Sequence, residues 1–310
     1  MSDRPTVVVS RHWRAHASER AFVTRSLAGA ASRAGPVAVL VPGPPGRREP
    51  DGAFDLTGFG EDDSLVWPAD LPAGCPLIVD ELSPGVRALR SGGWTLSPAP
   101  GGNSDQAWRA IPLVDGDGAP PVGLFVPINP LATRHHHHGF GFTGYLLVLS
   151  DRSAPGEGPP DPAAWLTAAF HDLHVVVVER ALASAWKGRS LRGTTSVDTR
   201  MDLWRLMAHA VACVDLAPGP LVARECVEAL RLGTPIVVPD HASSAAQHAR
   251  ASAGATFSDA WGLLEAIEKY RNEANRASAA LQGRAYAEAL FGDPAGFVER
   301  LTGILRSPRG

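Results

Sequence analysis

Strand-length apolar runs separated by segments of helical spacing constrain this chain more than any other feature. Thr6-Val-Val-Val-Ser10 is β-branched and bounded by polar residues, which predicts a strand. From about Glu19 to Arg33, Phe22, Val23, Leu27 and Ala30 recur at helical spacing, with Ser18 placed to cap and Gly35-Pro36 to stop. Pro36 to Val41 is a second apolar run. Strand, helix and strand in such close succession form a βαβ unit, which requires a parallel pair with a right-handed crossover.

The pattern continues with predicted strands at Cys75–Val79 and Val122–Val126 and a short helix over Pro84–Leu89. Residues 42–65 and 97–121 are rich in Pro, Gly and acids and read as loops. A second series opens with a strand at Gly144–Ser150, followed by a helix over Ala163–His171. Val175–Val178 is wholly apolar, as parallel sheets that are covered on both faces require. Helices over Met201–His209, Leu221–Leu232 and Ala260–Tyr270 alternate with strands at Ala210–Val214 and Pro235–Val238, and terminal helices run to about Leu305. The pattern predicts an α/β chain of doubly wound, Rossmann-like domains. At about 150 residues per domain, 310 residues make two, expected over 1–133 and 142–310.

Composition excludes several classes. Lys and Arg number 29 against 32 Asp and Glu, a net charge of −3, which argues against nucleic acid held by bulk charge. Hydrophobic residues make up 45%, enough for ordinary cores and too many for wholesale disorder. The three cysteines, Cys75, Cys213 and Cys226, have neither the number nor the spacing of a disulfide framework or a cysteine zinc site. No apolar stretch approaches the roughly 18 residues of a spanning helix, and no signal peptide is visible, so a reduced, cytoplasmic protein is expected. There is no Gly-x-Gly-x-x-Gly after Ser10, no Walker loop and no Gly-x-Ser-x-Gly elbow. His135-His-His-His138 reads as an exposed loop, since neighbouring side chains diverge and nothing organises a closed metal site around it. No metal is expected.

The most informative segment is Asp215-Leu-Ala-Pro-Gly-Pro-Leu-Val-Ala-Arg-Glu-Cys-Val-Glu-Ala-Leu-Arg-Leu-Gly-Thr-Pro-Ile-Val-Val-Pro-Asp240. A strand ends, a Pro/Gly loop turns the chain, and a helix expected to start near Leu221 aims its first N–H groups at the carboxyl edge of the sheet. Open α/β sheets bind ligands there, and helix starts attract phosphate.

Glu228-Ala229-Leu230 followed by Gly233-Thr234-Pro235-Ile236-Val237-Val238 resembles the retaining GT-B glycosyltransferases of the family 4 type. Ala253–Asp259 and the closing run Ala289–Leu301 are similar to later segments of that family, so the likeness covers roughly 142–306. It implies two Rossmann-like domains facing a cleft, the N-terminal one reduced, with an acceptor on the first and a nucleotide sugar as donor on the second. The implied activity is sugar transfer with retention and no cofactor. Glu228 would hold the ribose hydroxyls, Arg152 the donor diphosphate, and Thr234 and the amides near Leu221 and Val222 would lie close to the phosphates. His12, and His16 beside it, fall in the loop after the first strand, which in such enzymes faces the cleft; His12 is the catalytic candidate.

Two positions depart from the family's pattern. Pro220 stands where a second Glu is usual, and Glu157 where a Lys is usual; Lys187 or Arg189, in the loop expected after Val178, would substitute for the latter. These departures keep open a second reading, a catalytically degenerate chain that serves as a binding or partner subunit; a partner protein or a second copy belongs to that reading. Arg152 equally suits an ion pair with Asp151 or Glu157. At Glu228 the alternative is an i,i+4 pair with Arg224 on an exposed helix face, worth ~0.2–0.5 kcal/mol. If Glu228 serves the nucleotide alone, Glu228→Ala weakens nucleotide binding and leaves the melting temperature nearly unchanged. Glu225 reads as a solvated surface acid.

Overall fold

The structure is a computed structural model and describes residues 4–10, 13, 18–42, 55–59, 75–80, 93–96, 108–111, 113, 122–129, 144–151, 162–180, 186–190, 193–197 and 199–306. The chain divides into two compact units, Met1–Phe125 with Asp293–Gly310, and Val126–Gly292.

The first unit is built on a six-stranded sheet of β1 (Thr6–Val9), β2 (Val37–Pro42), β3 (Asp55–Phe59), β4 (Leu77–Val79), β5 (Gly93–Thr95) and β6 (Trp108–Ala110). Every pairing is parallel and the order is β3-β2-β1-β4-β5-β6, that of dinucleotide-binding folds. The helix α1 (Glu19–Ala34) makes the crossover between β1 and β2 and buries Val23, Leu27, Ala28 and Ala31. Ser18 sits at the N-cap position, yet its side chain makes no capping bond.

Three strands of this sheet, β3, β5 and β6, lie where apolar patterning gives none. β3 falls inside the expected loop 42–65 and β6 inside 97–121; both are short and mixed in polarity, so pairing with a neighbour defines them rather than local pattern. The reverse holds at Val122–Val126. Val122, Leu124 and Val126 are fully buried, but the segment joins neither sheet. Guanidinium groups satisfy its carbonyls instead: Arg300 Nε donates to Val122 O at 2.7 Å, and Arg231 donates to Val126 O.

The second unit carries a seven-stranded sheet of β7 (Tyr145–Asp151), β8 (Val175–Arg180), β9 (Trp186–Ser190), β10 (Gly193–Val197), β11 (Ala210–Asp215), β12 (Ile236–Pro239) and β13 (Ala255–Phe257), ordered β10-β9-β8-β7-β11-β12-β13. β8 through β13 in that order pair in parallel, while β9 and β10 add an antiparallel hairpin at the β8 edge. Lys187 and Arg189, expected in a loop, therefore belong to strand β9; Lys187 stands opposite Glu179 on one side and Ser196 on the other.

The helices of this unit are α2 (Pro162–Ala169), α3 (Arg200–His209), α4 (Arg224–Leu232), α5 (Ser243–Ala251), α6 (Ala260–Arg271) and α7 (Glu273–Phe291). Leu146, Val148, Val175, Val177, Val214 and Val237 pack with Leu166, Ile267 and Tyr270 in one core. Tyr145 is also fully buried, and its hydroxyl is satisfied by donating to Leu206 O at 2.6 Å. α5, whose small and polar residues give a weak periodic signal, was not legible as a helix.

The last helix, α8 (Pro294–Arg306), buries Phe297 and Leu301 and packs against α1. A cut by contiguous sequence puts it in the second domain; its contacts put it in the first unit. Among the described residues no helix is long and apolar enough to cross a membrane.

Candidate functional site

β7 and β11 are neighbours in the second sheet, and the chain leaves them in opposite directions, toward β8 and toward β12. The carboxyl ends at such a switch point frame the ligand crevice of open α/β sheets. β11 ends in Asp215, which is buried. Its Oδ1 accepts from Ala217 N at 3.2 Å and its Oδ2 from the Cys226 thiol at 3.7 Å, so the residue anchors the turn to α4. Burial, and then the neighbouring Asp215, push the Cys226 and Cys213 thiols well up, so neither is a nucleophile at neutral pH.

The loop enters α4 three residues later than the pattern predicts. Ala223 adopts the left-handed region at φ 46°, ψ 59°, so Leu221 and Val222 lie in the loop and the helix starts at Arg224. This conformation is disfavoured for a residue with a Cβ, and α5 holds it in place. Ser244 Oγ donates to Leu221 O at 2.9 Å and is 3.2 Å from Pro220 O. His248 Nε2 lies 2.8 Å from Val222 O and Nδ1 2.7 Å from the Tyr286 hydroxyl. A carbonyl only accepts, so Nε2 carries the proton and Nδ1 accepts from Tyr286. Burial lowers the His248 pKa to about 4, against the opposing bond to Val222, and the ring is neutral at pH 7. Since the carbonyls of Pro220, Leu221 and Val222 face α5, peptide planarity turns the amides of Leu221, Val222 and Ala223 the other way.

A charged cluster stands beside this loop. Glu228 is fully buried on α4, and two guanidinium groups hold it. Arg224 Nε donates to Oε1 at 2.8 Å; Arg200 Nε reaches Oε1 at 3.0 Å and Nη2 lies 2.6 Å from Oε2. Arg200 Nη1 also donates to Glu225 Oε1 at 3.0 Å. Arg200 opens α3, whose capping box, Thr199 with Asp202, fixes where that residue projects. Burial works against the charge on Arg200, but Glu228 and Glu225 outweigh it and hold its pKa above the ordinary value. Burial, with the neighbouring Arg200 charge, leaves that of Arg224 lowered in spite of Glu228.

These contacts correct three expectations. The Glu228–Arg224 pair exists, but on a buried face, not an exposed one. Glu225 is buried in an ion pair and is not a solvated surface acid. Thr234 does not approach the start of α4. It lies past the opposite end of that helix, roughly 13 Å away at 1.5 Å per residue, where its hydroxyl donates to Met207 O at 2.6 Å and ties α4 to α3. His12, Arg152, His16, Glu157 and His135–His138 lie outside the described residues, as does the expected helix Pro84–Leu89. Lys187 is placed by its backbone alone. Arg200, Ser244 and His248 were missed: the Thr199–Asp202 capping box was a visible signal for the position of Arg200, whereas nothing local marks the other two. Among the described residues no group of three or more His, Cys, Asp or Glu is disposed to hold a metal ion.

The two sheets and their helices define the chain as an α/β protein of the GT-B glycosyltransferase type of fold, and solved structures match it along its whole length. Sucrose-phosphate synthase from Thermosynechococcus elongatus is 13% identical, with 98% of each chain covered and a TM-score of 0.57. HepE of Anabaena, solved in complex with UDP and glucose, is 13% identical over 98% of this chain and 100% of its own, with a TM-score of 0.62. WaaG, a glycosyltransferase involved in lipopolysaccharide biosynthesis, is 14% identical over 97% and 100%, with a TM-score of 0.56. At such identities the likeness is one of fold. No family model matches the sequence, and no curated protein matches it.

Proposed function

We propose that this chain is a glycosyltransferase that moves a sugar from a nucleoside diphosphate sugar to an acceptor with retention of configuration. The observation that carries the reading is the position of Glu228: a buried carboxylate one turn into α4, beside the loop that follows the switch-point strand β11. The chain-long fold likeness to glycosyltransferases supports it.

In this reading Glu228 accepts hydrogen bonds from two ribose hydroxyls, as an ionised carboxylate can. The amides of Leu221 and Val222, turned away from α5, together with Arg152 and Lys187, stabilise the charge that grows on the departing diphosphate. His12 keeps the catalytic role in this reading. Cationic side chains meet the leaving group's need for positive charge, so the reaction proceeds without a metal cofactor.

The test is calorimetric titration with UDP, ADP, GDP and TDP and their sugar conjugates, followed by assay of sugar release or transfer. Binding of one nucleotide with slow turnover to water or to an added acceptor supports the reading. No binding at millimolar concentration overturns it, and binding without any turnover returns the chain to the partner-subunit reading.

A further inference from the structure

We infer that His248 is a positioning residue for donor binding: with Ser244 it holds the carbonyls of Pro220, Leu221 and Val222 against α5, and so sets the direction of the loop amides on the other side. This rests on the proposed reading, in which those amides meet the donor phosphates, and adds to it a control of phosphate affinity by side chains that touch no ligand.

Three observations carry it. First, one helix face holds the loop. Ser244 and His248 are buried and stand four residues apart on α5, so they share a face. Ser244 Oγ donates to Leu221 O at 2.9 Å and lies 3.2 Å from Pro220 O, and His248 Nε2 lies 2.8 Å from Val222 O. The next carbonyl changes sides: Ala223 O accepts from Cys226 N at 2.9 Å and Val227 N at 3.2 Å, in the first turn of α4. The change from α5 to α4 falls at Ala223, the residue with the positive φ.

Second, the donor on His248 is aimed. The Tyr286 hydroxyl, from α7, engages Nδ1 at 2.7 Å and leaves the ring proton on Nε2, where Val222 O accepts it. Phe291 meets the imidazole edge-on, with centroids 5.4 Å apart and planes at 89°, and Tyr286 lies 5.8 Å away on the same criterion. With both nitrogens engaged and two aromatic rings against it, the imidazole has one orientation. An apolar ring of this size would fill the same space, but only a donor orients the Val222 peptide.

Third, the held conformation is one the loop would leave by itself. The left-handed region is unfavourable for a residue with a Cβ, so Ala223 stays at φ 46° through contacts made from outside the loop. Once Val222 O is released, the Val222–Ala223 peptide is free to turn, and the Ala223 N–H turns with it because the two groups share a plane. Successive N–H groups on one side of a loop form a concavity for an anion, which is lost when one peptide turns. Glu228 makes none of these contacts, so the grip on the nucleoside part of the ligand is left as it was.

The test compares His248→Phe, which keeps a ring and removes the N–H, with His248→Gln, which restores a donor, and with Ser244→Ala. Each is titrated with uridine, adenosine, guanosine and thymidine and their diphosphates, well below its melting temperature. The crystal structure of His248→Phe is solved alongside; Ser244→Ala takes its place if that variant does not fold. The expected result is that the wild type prefers a diphosphate to its nucleoside and that His248→Phe loses about tenfold of that preference. Nucleoside affinity stays level, and Ala223 leaves the left-handed region. His248→Gln recovers most of the preference, and Ser244→Ala shows a smaller loss than His248→Phe. If the preference survives in the folded variants, if diphosphate and nucleoside affinities fall together, or if Ala223 keeps its φ, then His248 only packs and the inference fails alone. If the wild type binds none of the eight compounds, the nucleotide reading fails and takes the inference with it.

Discussion

The carboxyl edges of the two sheets make an instructive contrast. In the first unit the order reverses between β1 and β4, and the residues just past those strands are Ser10 and Asp80. Both are buried, and Ser10 Oγ donates to Asp80 Oδ2 at 2.6 Å. Arg20 Nη1 donates to the carbonyl of Asp80 at 2.7 Å rather than to its carboxylate. In the second unit the equivalent edge gathers Arg200, Arg224, Glu225 and Glu228, guanidinium against carboxylate. One scaffold thus carries a short hydroxyl–carboxylate bond on one edge and a balanced charge cluster on the other. A hydrogen-bonding edge suits neutral, hydroxyl-bearing molecules; an arginine-rich edge suits phosphate. The fold leaves this choice to a few side chains at the strand ends and helix starts.

The largest expected effect is at the charged edge. Glu228→Ala removes the buried carboxylate that Arg224 and Arg200 share and should destabilise the second unit by about 3–5 kcal/mol. This replaces the sequence-based expectation of an unchanged melting temperature. Hydrogen exchange should accelerate in α4 and β11 and stay unchanged in β1 and α1; a loss under about 1 kcal/mol would mean that the arginines are effectively solvated.

The next effect is a pH dependence that His248 gives the second unit. His248 has a folded pKa of about 4 against an ordinary 6.5. The unfolded chain therefore binds the extra proton between those values. The stability held above pH 6.5 is lost as pH falls toward 4, by up to about 3 kcal/mol. Denaturant titrations at pH 7 and pH 4.5 on wild type and His248→Gln measure it; equal slopes in the two proteins would contradict the assignment of the ring as neutral and buried.

At the other edge Asp80→Asn should cost about 1–2 kcal/mol, because a buried bond to Ser10 loses its charged acceptor. Nucleotide affinity should be untouched, so a titration showing a matching loss of affinity would erase the proposed division of labour. The smallest effect is Tyr286→Phe, which removes the hydroxyl donated to His248 Nδ1 and should cost about 0.5–1.5 kcal/mol. The midpoint of chemical unfolding reads it, and no change would show that water replaces the hydroxyl.

The legible part of this protein was its strong periodic pattern. Val7–Val9, Val37–Val41, Val175–Val178 and Ile236–Val238 are apolar runs that only a sheet covered on both faces accommodates, and they emerged as parallel strands. The segment around Glu228 was legible as the ligand edge because its loop, helix and Gly-Thr-Pro stop follow one another in sequence. What stayed hidden depended on partners far along the chain. Arg200 meets Glu228 across 28 positions and His248 meets Val222 across 26, distances at which no local pattern speaks. Thr234 was misplaced for the opposite reason: nearness to the motif in sequence suggested nearness in space, and the rigid length of α4 separates the two.

The sequence by itself determined the alternation of strands and helices, since burying a strand on both faces or a helix on one demands a fixed spacing of apolar side chains. It also determined that a helix would follow β11 after a Pro/Gly loop, while the start itself fell at Arg224 and not near Leu221. Tertiary structure decided which charges meet there, that Ala223 takes a left-handed turn, and that an apolar run at Val122–Val126 stays out of both sheets. Those outcomes depend on packing between segments distant in the chain, and long-range hydrogen bonds and ion pairs have no periodicity to announce them.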